Sequence, residues 1–122
     1  MNTSCLILFG HGSKNSQWAE PFRKLAADLR NDLGNNGVFL CFLEHSEPSL
    51  MEIAPEIMKA GIRTARLLPL FMAKGGHFHE DIPAQIAAMK TKFPGIDVEL
   101  MEPIGLRPEF FDLMRCLIKS LA

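Results

Sequence analysis

The sequence predicts an α/β fold, a parallel sheet covered by helices on both faces. Two observations carry this: apolar runs of strand length alternate with amphipathic stretches of helical period, and the alternation repeats four times in 122 residues. The first run, Cys5 to Phe9, is continuously apolar rather than alternating, the pattern of a strand buried on both faces. The length fits one domain, residues 1–122, with no linker, internal repeat or low-complexity segment.

The first run, Cys5-Leu6-Ile7-Leu8-Phe9, stops at Gly10-His11-Gly12-Ser13, a buried strand ended by a tight loop. Trp18, Phe22, Leu25, Ala26, Leu29 and Leu33 then recur at the helical period, and Gly34-Asn35-Asn36-Gly37 ends that helix. Val38 to Leu43 reads as strand two. Pro48-Ser49 opens a second helix with Leu50, Ile53, Ala54 and Ile57 on one side and Gly61 at its close. Arg63 to Phe71 supplies strand three. A third helix starts near Glu80-Asp81, whose carboxylates suit a helix N-terminus, carries Ile82, Ile86 and Met89, and ends before Pro94-Gly95. Strand four is Asp97 to Met101, and the last helix, from about Pro108, is expected to turn Phe111, Met114, Leu117, Ile118 and Leu121 inward.

Composition narrows the function. Thirteen Lys and Arg against fourteen Asp and Glu leave a formal charge of -1, without the basic excess that phosphate-driven nucleic-acid binding needs. A small molecule or ion is therefore the expected ligand. No run approaches the roughly 20 apolar residues of a membrane span, and no signal segment is evident, so a cytoplasmic protein without membrane or nucleic-acid partners is expected. Cys5, Cys41 and Cys116 are widely spaced and form no C-x-x-C pair; buried reduced thiols are the simplest reading.

All four histidines fall in loops that follow strands: His11 after the first, His45 after the second, His77 and His79 after the third. In parallel α/β sheets, ligands bind at the carboxyl ends of the strands, and imidazole is the commonest side-chain ligand for divalent first-row metals. The pattern suggests a metal site at that edge. His11 and His77 lead, because His11 lies between Gly10 and Gly12 and His77 follows Gly75-Gly76, where the backbone can approach a bulky ligand or adopt positive φ. Gly10, Gly12, Ser13, Gly75 and Gly76 are thus the expected ligand-facing positions. Glu44, beside His45, could complete a set of two histidines and one carboxylate or take protons from a substrate, or it could be an exposed edge charge. Other motifs fail: Gly10-His11-Gly12-Ser13-Lys14-Asn15 lacks the spacing of a phosphate loop, and no G-x-S-x-G occurs.

Taken together, these residues resemble the class II chelatases, in particular the short-form sirohydrochlorin cobaltochelatases of the CbiX type. The resemblance runs the whole chain. It rests on Gly10-His11-Gly12-Ser13, on Phe42-Leu43-Glu44 followed by Glu47-Pro48-Ser49-Leu50, on Pro69-Leu70-Phe71 leading into Gly75-Gly76-His77 and Asp81-Ile82-Pro83, and on Glu102-Pro103-Ile104-Gly105. It implies a three-layer chelatase-like domain with strand order 2-1-3-4. It also implies His11 and His77 as holders of the incoming metal, and Glu44 as a nearby carboxylate. The implied activity is insertion of a divalent metal (Co2+, alternatively Fe2+ or Ni2+), itself a substrate, into sirohydrochlorin or a related anionic tetrapyrrole, with no organic cofactor. A homodimer would rebuild the cleft that longer relatives make from two domains. His79 is outside the shared pattern. Lys14, Lys74 and free N–H groups near Ser13 are suited to the substrate's carboxylates. The competing readings are a non-catalytic metal or tetrapyrrole carrier and a small phosphotransfer domain using His11.

Overall fold

The computed structural model describes residues 3–122, with the side chain of His77 outside the described part. Eight elements alternate: β1 (Ser4–Gly10), α1 (Glu20–Leu33), β2 (Val38–Phe42), α2 (Leu50–Lys59), β3 (Thr64–Pro69), α3 (Ile82–Lys92), β4 (Asp97–Leu100) and α4 (Pro108–Leu121). The strands form one parallel sheet in the order β2-β1-β3-β4, as expected. Strand order therefore reverses between β1 and β3, so the loops after these two strands leave the sheet side by side.

Alternation along β1 divides the core. Cys5, Ile7 and Phe9 face one side with Cys41 and Leu67, and are covered by Ile53, Ala54 and Ile57 of α2 and Ile82 and Met89 of α3. On the other side, Leu8 joins Val38, Leu40 and Phe42 beneath Ala26 of α1, with Trp18, Phe22 and Leu29 packed at the margin. Local chemistry fixes the ends. Ser49 caps α2 reciprocally with Glu52: the Glu52 N–H donates to the Ser49 hydroxyl and the Ser49 N–H to the Glu52 carboxylate, at 3.2 and 2.9 Å. Gly61, at φ 78°, turns the chain out of it.

Three expectations need correction. Leu25 and Leu33 of α1 are exposed: Leu25 lies about 100° around the helix from Ala26, and Leu33 sits in the last turn. A 3-10 turn, Ser16–Ala19, precedes α1, and a π-helical turn, His77–Asp81, precedes α3. The largest departure is α4, none of whose residues is buried. Phe111, Leu117, Ile118 and Leu121 point to solvent, and Cys116 is exposed with them, while Cys5 and Cys41 are buried. Helical periodicity marks which face is apolar, not what covers it. No helix among the described residues is long and apolar enough to cross a membrane.

Candidate functional site at the carboxyl edge of the sheet

Past the ends of β1 and β2 the strand ladder continues for two more bonds, Leu43 N–H to the Gly10 carbonyl at 2.8 Å and Glu44 N–H to the His11 carbonyl at 3.1 Å. His11 and Glu44 are thereby held on adjacent strand extensions. Gly12, at φ 93°, lies so close to this second loop that a Cβ would overlap the Glu44 carbonyl oxygen. Ser13 completes the weld: its N–H donates to the Ser46 hydroxyl at 3.0 Å, and that hydroxyl donates to the Ser13 carbonyl at 3.2 Å. Gly10 is as constrained, since a Cβ there would meet the Phe42 ring at 3.1 Å. The glycines around His11 thus make room for the protein's own packing.

Four of the N–H groups near Ser13, expected to be free for an anion, are used internally. Ser13 N–H is bound as above, Asn15 N–H donates to the Ser13 hydroxyl, Gln17 N–H to the Asn15 side-chain oxygen, and Trp18 N–H to the Asn15 carbonyl.

The His11 ring is exposed and stacks on Phe71, with 3.8 Å between centroids and 17° between planes. Phe71 is itself buried and meets Phe9 edge-on. Its position is fixed from behind, because the Gly105 N–H donates to the Phe71 carbonyl at 2.9 Å and the Gly105 Cα packs against the Met72 backbone too tightly for any side chain. The Glu102-Pro103-Ile104-Gly105 segment thus supports the histidine through Phe71. Neither contact was read from the sequence, although Phe71 and Gly105 both stand in the motifs quoted above.

Glu44 is exposed, and its Oε1 lies 3.8 Å from His45 Nε2, with His45 in the left-handed region at φ 66°. The loop is clasped from α3 by Gln85, whose Nε2 donates to the Leu43 carbonyl at 3.2 Å. On the β3 side, Gly75 and Gly76 have open space where a side chain would project, and neither takes positive φ. The chain enters the π-helical turn at His77 with the Phe78 N–H on the Gly75 carbonyl. His79 is exposed and turns its ring edge to the buried Phe78. Lys74 is engaged at home: its Nζ lies 2.9 Å from Glu102 and 5.2 Å from the Phe78 ring centre. Among the described residues no three metal-ligating side chains converge.

Comparison with known proteins shows the family of the chain. The CbiX family model matches residues 5–121. The chain belongs to the CbiX family. The sirohydrochlorin cobaltochelatase of Sulfurisphaera tokodaii is 32% identical over 112 residues, covering 90% of this chain and 87% of that one. That of Sulfolobus acidocaldarius is 32% identical over 110 residues, covering 90% and 85%. Among solved structures, a cobalamin biosynthesis CbiX protein from Marinobacter aquaeolei VT8 superposes with a TM-score of 0.84 at 32% identity, covering 96% of this chain and 95% of that one. The sirohydrochlorin chelatase SirB of Bacillus subtilis subspecies spizizenii, solved with cobalt, shares the CbiX fold at a TM-score of 0.83 and 22% identity. This chain covers only 52% of its length.

Proposed function

We propose that this CbiX-family chain is a metal chelatase that inserts a divalent metal, cobalt before ferrous iron or nickel, into sirohydrochlorin or a closely related anionic tetrapyrrole. The observation that carries the reading is the His11 imidazole, exposed at the carboxyl edge of the sheet and backed by Phe71, on the strand next to the one that leads to His77. The names of the two archaeal relatives supply the substrate.

Insertion needs a metal held by few exchangeable ligands, a base for two pyrrole protons, and a surface for the ring. His11 and His77 hold the metal in this reading; neutral imidazole suits cobalt, iron and nickel alike. Phe71 fixes the His11 ring plane, so the nitrogen meets the metal without first being ordered. Glu44, solvated and beside His45, accepts protons as they leave the pyrroles. The ring approaches over Gly75 and Gly76, where no side chain intervenes. With Lys74 paired to Glu102 and the N–H groups of Ser13, Asn15, Gln17 and Trp18 occupied, exposed Lys14 is the remaining cation from the sequence reading for the substrate's carboxylates. The protein acts as a homodimer.

Anaerobic incubation with sirohydrochlorin and each metal in turn, followed by absorbance, tests the reading. Cobalt is expected to give the fastest conversion, and no conversion above the protein-free rate with any of the three would overturn it.

A further inference from the structure

Lys74 lies in the exposed segment that leaves β3, directly before Gly75 and Gly76, where the ring approaches in the proposed function. Its ammonium is 2.9 Å from the Glu102 carboxylate and 5.2 Å from the centre of the Phe78 ring. Phe78 belongs to the π-helical turn that begins at His77, and Glu102 comes from the segment whose Gly105 N–H holds the Phe71 carbonyl. The two members of the pair meet solvent, with side chains 35% and 57% exposed. Ion pairs this exposed contribute little, because water solvates the separated charges nearly as well. Lysine is suited to changing partners: its ammonium is a compact charge with three donors on a flexible stem. The attraction to the face of Phe78 does not depend on which anion takes those donors, and Phe78 is itself buried and so a fixed platform.

We propose that Glu102 is a specificity-determining residue: it occupies Lys74 in the free chain in place of a ligand carboxylate, and a carboxylate of the arriving anionic ring displaces it. The ring comes in over Gly75 and Gly76, where nothing projects, and meets the ammonium while it keeps its place above Phe78. The exchange forms one ion pair for the one it breaks. It also leaves the Glu102 charge unpaired beside the bound ring. Both effects hold the affinity below what Lys74 alone would give. A ligand with a single carboxylate gains little from such a trade, whereas a ring with several keeps its other contacts, so the competing charge favours the multiply anionic ring. The identity of the ring rests on the proposed function; the competition for Lys74 rests on the geometry of Lys74, Glu102 and Phe78.

Titration of the full chain with sirohydrochlorin in the absence of metal, at low ionic strength and followed by ring absorbance, is the test. Glu102→Gln keeps the side-chain size and removes the charge; it is expected to lower Kd about twofold to fivefold, the scale of an exposed charge pair. Lys74→Met should raise Kd, and in that background Glu102→Gln should lose most of its gain. The gain should also shrink at about 1 M salt, where the screening length is about 3 Å. A Glu102 that only pins its segment gives the opposite sign, weaker binding and a lower melt in Glu102→Gln. Unchanged or weaker binding in Glu102→Gln overturns the inference, as does an equal gain with and without Lys74. Insertion rates on the same samples keep the two readings apart. A ring that binds and responds in this way but is never metallated removes the proposed function alone. Insertion with no response to Glu102→Gln removes the exchange alone, and no ring binding by wild type or Glu102→Gln removes both.

Discussion

The Phe71 ring lies face to face on the His11 imidazole at 3.8 Å, and it is held from behind by the N–H of Gly105. The exposed imidazole is therefore positioned by a buried ring, and that relationship can be tested apart from the chemistry of either.

Replacing Phe71 with Leu removes the stack while keeping an apolar side chain in the core. A loss of about 1 to 2 kcal/mol in stability is expected from the smaller volume. Insertion should fall roughly tenfold, the equivalent of about 1.4 kcal/mol of lost positioning, and Phe71→Tyr should restore most of it. Chemical denaturation beside steady-state rates separates the effects; unchanged rates in a folded Phe71→Leu protein would mean that the stack does not position His11.

Two glycines of the site should respond oppositely to alanine. Gly12→Ala has to abandon a positive φ and push the Glu44 carbonyl aside, so a cost of at least about 1 to 3 kcal/mol is expected. Gly75→Ala meets nothing and should melt within about 0.5 kcal/mol of wild type. If the tetrapyrrole approaches over Gly75, the same variant should raise KM for the ring more than it lowers kcat.

The cysteines should titrate as one plus two. Cys116 is exposed and should react with a thiol reagent at once, whereas Cys5 and Cys41 should wait for unfolding. Burial pushes the Cys5 thiol from 9.0 up to about 11, and Cys41 further in the same direction. An unfolded chain loses these protons first, so their contribution to stability is complete below pH 9 and declines as pH rises toward about 11. Equilibrium unfolding between about pH 8 and 11 checks the sign; a midpoint that climbed across this range would contradict it.

Much of this was legible in the chain because buried parallel strands announce themselves. Cys5 to Phe9 and Val38 to Leu43 can be placed as strands to within a residue or so, and the loops that follow them must then open at one edge. The strand order came with the family resemblance, not from periodicity. What escaped was set by partners distant in sequence. Nothing local says that Phe71 lies on His11, far away along the chain, or that the N–H groups near Ser13 are taken by Ser46 and Asn15. Nor does the sequence around Lys74 show that Glu102 pairs with it. For α4, helical periodicity gives the apolar stripe but not its burial, since Phe111, Leu117 and Ile118 are largely exposed among the described residues.

Turnover under anaerobic conditions, with sirohydrochlorin and Co2+ in excess over chains, tests the central claim most directly when run on wild type, His11→Ala, His77→Ala and His79→Ala. Many metallated rings per wild-type chain are predicted, with insertion abolished in the first two variants, measurable in the third, and cooperative thermal melts preserved in all three. At most one metallated ring per wild-type chain would make the protein a carrier, and full activity in His11→Ala would contradict the account at its centre.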